Sequence, residues 1–358
     1  MSGSSWASSR LTRRTLLGAA AASGCGLLTP WAWAAAGDRR TGDLIGEVSY
    51  YVTKGDETLL DVARQRNLGV PEISAANPAI DPWVPGAETL ITLPTQFILP
   101  EAPREGIVVN YGELRLYHFP KGRPVETYAI GVGRDGFELK MGQTRIVRKT
   151  ERPTWYPTES TLRDKPWVGK VVPPGPDNPL GAYALYLGWP TYLVHGTNLP
   201  YGVGRRVSRG CIRMYPEGVE RLYPQIAVGT KVTAVDQPVK LGWHGGELYL
   251  EAQPDMTQVD ELEASQTLSA RPPPEDIRGR LLDRAGADAP RIDWGVVDAE
   301  LAARRGVPVQ VTRPRAPSAM LTPLAPASRG GGPPLGVAGA LDGRGSESEA
   351  HPSRSGLY

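Results

Sequence analysis

The chain has 358 residues with 40 Lys or Arg against 38 Asp or Glu, a formal net charge of +2. Without a dense lysine-arginine run, that balance gives no electrostatic footprint for a nucleic-acid partner. The 3 Phe against 9 Trp and 14 Tyr favour amphipathic aromatics, which suit grooves for polar ligands such as sugars or peptides.

In chain order, Arg10, Arg13 and Arg14 precede an apolar stretch from Leu16 to Leu28, and Ala34, Ala35 and Ala36 precede Gly37. These are the three parts of an export signal over 1–36, so the mature protein is expected in the periplasm or cell envelope. Thr12 to Leu17 resembles a twin-arginine signal, which implies export of an already folded chain. A membrane anchor is the alternative, but the apolar run is short for a span of about 20 residues. Lipidation at Cys25 is a minor alternative, because Ala22 stands where a large aliphatic residue is usual. The remaining length suits roughly two domains.

From Ser49 to Thr53 the chain reads as a strand, and Asp56 is a candidate N-cap for a helix carrying Leu59, Leu60, Val62 and Ala63. Gly69 ends it, Pro71 opens a second short helix closed by Asn77 and Pro78, and Thr89 to Pro94 reads as a closing strand. This order, with the phrases YVTKGDETLLDVARQ, ANPAID and ETLITLP, resembles a LysM module over 48–95. The resemblance implies a tether to the peptidoglycan glycan, whose deletion would weaken wall binding while sparing turnover of a soluble stem peptide.

Beyond Pro103 the pattern turns to strands at 107–110, 114–119, 125–130, 182–187, 192–194 and 231–235, punctuated by glycine and proline, with one helix from Pro216 to Tyr223. The fold class expected is a mainly β sandwich or barrel with a small α+β LysM-like domain before it. His195 falls at the end of a strand, a loop with Gly202 and Gly204 follows, and Cys211 returns within Ser208-Arg209-Gly210-Cys211-Ile212-Arg213.

Cys211 is the one cysteine left after the export signal, and a lone thiol outside the cytosol is either a buried hydrophobe or a nucleophile. Serine, arginine and glycine neighbours favour the nucleophile, since a close cation and open amides lower a thiol's pKa. An imidazole within reach can hold the thiolate and later protonate a leaving amine, and His195 is preferred for that part over His244. No His, Cys or carboxylate grouping has metal-ligand spacing, so no metal and no other cofactor is expected.

The strings PTWYPT (153–158), VVPPGPDNPLGAYALYLG (171–188), HGTN (195–198) and SRGCIRM (208–214) resemble the YkuD-type L,D-transpeptidases, over about 104–236. The resemblance implies that Cys211 attacks the third residue of a peptidoglycan stem tetrapeptide, expels D-Ala as a thioester forms, and yields the acyl group to an amine. The acceptor is another stem peptide or a lysine of a wall-attached protein. His195 matches the base, Ser208 and Gly210 frame the turn, Arg213 steadies the site or a carboxylate, and the amides of Gly210 and Cys211 are oxyanion-hole candidates. A backbone carbonyl replaces the third triad member, with Gly196 the candidate, and Trp155, Tyr156 and Tyr192 are candidates for the groove. Arg209 stands where many members carry histidine, and Leu139 to Gly142 departs from the usual Thr-Pro before glycine. Hydrolysis of the same acyl-enzyme, a sortase-like reaction, or wall binding without catalysis are the alternatives.

After the catalytic part, 237–311 reads as an accessory segment with a hairpin at 243–250, a helix from Asp293 to Arg305 and an edge strand at 307–311. From Thr312 to Tyr358 proline, glycine, serine and alanine dominate, and the tail is expected to be disordered.

Overall fold

A computed structural model describes residues 42–315. The segment expected to be an export signal, 1–36, and the expected tail beyond 315 lie outside the described residues, among which no helix is long and apolar enough to cross a membrane.

The first segment runs β1 (Leu44–Gly46), β2 (Ser49–Lys54), α1 (Leu59–Arg66), α2 (Val70–Ala76), β3 (Ala87–Leu93) and β4 (Gln96–Ile98). β2 pairs antiparallel with β3, and β1 with β4. Thr58, not Asp56, caps α1: its hydroxyl accepts from the Asp61 amide, and the Asp61 carboxylate accepts from the Thr58 amide at 3.0 Å, a reciprocal capping box. α1 ends at Asn67 rather than Gly69, with φ +56. The Asn67 side chain donates to the carbonyl of Thr127 at 2.8 Å and accepts from the amide of Ala129 at 3.2 Å, so the helix end is tied to the next segment.

That segment holds β5 (Gly106–Asn110), β6 (Arg115–Phe119), β7 (Glu126–Gly133), β8 (Gly142–Glu151), α3 (Glu159–Asp164), β9 (Tyr183–Leu187), β10 (Leu193–His195), β11 (Arg206–Ser208), β12 (Ile212–Met214), α4 (Pro216–Leu222) and β13 (Lys231–Val235). Its strands lie in the order β11-β7-β12-β10-β9-β8-β13-β5-β6, and β6 pairs back onto β7, closing a barrel. Ile107, Val109, Leu116, Ile130, Ile146, Leu185, Val194, Ile212 and Val232 fill it. The intervening residues Val108 and Tyr117 face outward, yet they are fully buried, because Leu59, Val62, Ala63, Ile73, Ile91 and Leu93 of the first segment pack over them. Strands covered on both faces are buried along nearly their whole length, as β5 and β6 are, and β5 accordingly reads as an apolar run.

The third segment comprises β14 (Val239–His244), β15 (Glu247–Ala252), α5 (Met256–Ser265), α6 (Ile277–Ala285), α7 (Trp294–Ala303) and β16 (Val309–Gln310). Its three strands share a core with α6 and α7 built on Leu241, Leu248, Leu250, Leu281, Val297 and Leu301. Buried Lys240 joins it to the rest, donating to the carbonyl of Ile98 at 2.7 Å and pairing with Glu113 and Glu251. Thr312, where the tail is expected to begin, is still part of this fold: its hydroxyl accepts from the Leu248 amide and donates to Glu247 at 2.6 Å.

Candidate active site

β10 and β12 run parallel, with Val194 beside Ile212 and His195 beside Arg213. Val194 and Ile212 point into the barrel core, so strand alternation sends His195, Arg213 and Cys211 to the opposite face. Cys211 falls level with Leu193, two residues before His195, which puts the Cys211 and His195 Cα atoms roughly 8 Å apart by strand spacing.

The turn that carries the thiol is held at both ends, since Ser208 of β11 and Arg213 of β12 both register on β7, at Gly133 and Gly131. Gly210 adopts φ +100, a conformation that side chains disfavour. A Cβ there would also stand 3.3 Å from the Tyr192 ring, so the turn packs directly on Tyr192. Buried Ser208 closes the turn by donating to the Cys211 carbonyl at 2.6 Å. The half-buried thiol donates to the carbonyl of Thr191 at 3.4 Å, and the Leu193 amide hydrogen bonds to its sulfur.

Burial pushes the Cys211 thiol up from its ordinary pKa, against the Leu193 amide and the Arg213 cation, which pull it down. The cation expected to lower this thiol is therefore present and outweighed. Burial and then Arg213 lower the His195 imidazole to about 4, with the carbonyls of Gly196 and Leu180 acting the other way. His195 Nδ1 lies 2.5 Å from the Gly196 carbonyl oxygen, and donation to it leaves Nε2 as the bare acceptor. Arg213 is itself lowered by burial, and its Nε is buried without a hydrogen-bond partner among the described residues.

A groove of about 520 Å³ reaches this site, lined by Arg148, Tyr186, Trp189, Thr191, Tyr192 and Leu193 among others. Tyr192 thus joins the groove and the Cys211 turn. Trp155 exchanges backbone hydrogen bonds of 2.9 Å with Val172, and Tyr156 beside it is exposed. His244 is exposed at the end of β14, its ring edge-on to Tyr249, in the third segment and not beside the thiol.

Several residues at the site carry no pattern in the sequence. Thr191, Leu193 and Leu180 act through backbone atoms that any residue type supplies, whereas Gly196 is expected from the resemblance. Asn178 is fully buried, donates to the carbonyl of Pro153 at 2.8 Å and accepts from the amide of Leu180 at 2.9 Å, setting the loop whose carbonyl meets His195. Asp164 at the end of α3 pairs with Arg209 of the Cys211 turn and with Arg134 at 3.3 Å. Among the described residues no grouping of His, Cys, Asp and Glu could hold a metal ion.

The family model for the YkuD L,D-transpeptidase catalytic domain matches residues 104–233. Two Escherichia coli K12 proteins are similar to this chain. "Probable L,D-transpeptidase ErfK/SrfK" is 37% identical over 75% of this chain and 87% of that protein. "Probable L,D-transpeptidase YcfS" is 35% identical over 79% of this chain and 88% of that protein. A solved L,D-transpeptidase from Mycobacterium smegmatis aligns with a TM-score of 0.30 at 19% identity, over 39% of this chain and 61% of that one.

Proposed function

Because the chain belongs to the L,D-transpeptidase family, we propose that it exchanges amide bonds of peptidoglycan stem peptides through a thioester on Cys211. The observation that supports this reading is the shared face of β10 and β12, which carries both a half-buried thiol and an imidazole whose Nδ1 is already engaged.

His195 Nε2 takes the thiol proton as the sulfur attacks the carbonyl carbon of the third stem residue. The amides of Gly210 and Cys211 receive the developing oxyanion. When the tetrahedral species collapses, the bond to D-Ala breaks, and the D-Ala amine leaves with the proton from His195. An acceptor amine then attacks the thioester, gives its proton to His195, and the C–S bond breaks to restore the thiol. The Gly196 carbonyl orients the imidazole and stabilises its transient cation, the part a carboxylate plays in a triad. Arg213 favours the thiolate and disfavours an early imidazolium. Ser208 holds the turn, and Tyr192, with Trp155 and Tyr156 on the neighbouring loop, borders the peptide.

The acceptor is a second stem peptide or a lysine of a wall-attached protein, and no cofactor enters. The segment 48–95 is read as a LysM-like glycan-binding unit and residues 1–36 as the export signal, which put the reaction in the cell envelope. Incubating the purified protein with a stem tetrapeptide and an amine acceptor tests the reading. Release of D-Ala matched by a new acceptor amide supports transfer. D-Ala with free tripeptide alone makes the protein a hydrolase, and no D-Ala at all makes it a wall-binding protein without this chemistry.

A further inference from the structure

Arg148 owes its direction to an irregularity in β8. Ile146 registers with Leu187 and Arg148 with Tyr186, so one extra residue, Val147, is bulged between them. Regular alternation from the fully buried Ile146 would send Arg148 into the barrel core; the bulge turns it outward. There its guanidinium stacks on the Tyr186 ring, 3.6 Å from the centroid, and no carboxylate among the described residues pairs with it. Stacking fixes the plane and leaves the N–H edge free, the geometry that takes a carboxylate in bidentate fashion. Lys140, 5.9 Å over the Trp189 ring, adds a second cation at the same groove.

Resting on the thioester reading above, we propose that this groove holds the acyl-donor peptide and that Arg148 is its specificity-determining residue, reading a free carboxylate on that peptide. The assignment to the donor follows from the residues around the sulfur. The sulfur meets Thr191 and Leu193, which line the groove, and by register His195 lies two residues further along β10, away from Thr191. His195 must protonate the leaving amine and deprotonate the incoming one, so both amines pass on its side. The acyl portion stays through both half-reactions and takes the groove. Stem peptides keep free carboxylates on the residues before the scissile bond, which complements Arg148 and Lys140.

The test compares D-Ala release from a stem tetrapeptide and from forms with each donor carboxylate amidated in turn, in wild type, Arg148→Gln and Arg148→Glu. One amidation should lower wild-type kcat/KM about tenfold, the scale of a lost charge-assisted hydrogen bond, mainly through KM. In Arg148→Gln that ratio should fall to near one, and in Arg148→Glu it should invert. Alkylation of Cys211 by iodoacetamide should keep its wild-type rate in both variants. A wild-type enzyme indifferent to amidation, or an Arg148→Gln variant that keeps the wild-type ratio, overturns the role of Arg148 and leaves the thioester reading standing. A wild type that releases no D-Ala from any donor overturns both.

Discussion

At Cys211 and His195 burial acts on both groups in the direction of neutrality, raising the thiol and lowering the imidazole to about 4. The resting groups are therefore thiol and imidazole, and in the proposed reaction the proton moves during attack and not before it. His195 is neutral and competent above its lowered pKa, so the acid limb of kcat/KM belongs near 4 and not near the ordinary 6.5. Alkylation of Cys211 should keep climbing through the alkaline range, with no plateau below the free-thiol value of about 8.5 that an ion pair would give. His195→Ala should slow acylation on the order of 10² or more, while exposed His244→Ala changes it little. Arg213→Met removes the cation acting on both groups, so the thiol moves further up, the imidazole moves back up, and the acid limb shifts to higher pH. Cys211 and His195 were legible in the sequence because a solitary thiol and a strand-end imidazole are unusual. Their net electrostatics were not, since motif neighbours reveal the cation but not the depth of burial.

Between elements, one close joint lies where the first segment meets the loop before β11. A Cβ on Gly204 would stand 2.7 Å from Gly69 Cα, and Gly204 also has φ +85, so Gly204→Ala should lower the melting temperature by parting the two backbones. Beside it, Arg115 of β6 is buried and donates to Glu72 of α2 at 2.7 Å and to the Asn67 carbonyl at 2.8 Å. Arg115→Met strands the Glu72 carboxylate, at a cost of about 3–5 kcal/mol in denaturant unfolding, and Glu72→Met added to it should recover part of the loss. Apolar strands such as β5, β6 and β9 were readable, and so were the hairpin of β14 and β15 and most of α7. β8 was not: of its ten residues only Ile146 is buried, and the bulge at Val147 breaks the alternation. α3, α5 and α6 also escaped, being short helices with few buried positions each.

For the molecule as a whole, the order strand, helix, helix, strand over 49–93 suggested a unit that could be removed without harm, and the shared core argues otherwise. Deleting 48–95 would bare Val108 and Tyr117, so the truncated protein should lose cooperative unfolding and turnover of a soluble stem peptide together, contrary to the expectation for a free tether. A sequence shows that two segments each have apolar faces, but not that one face covers the other. Intact-mass measurement after brief exposure to stem tetrapeptide should show wild type heavier by the tripeptide acyl group, with an equal amount of D-Ala released, and Cys211→Ala unchanged in mass. A mass gain that persists in Cys211→Ala would place the acyl group elsewhere than on Cys211.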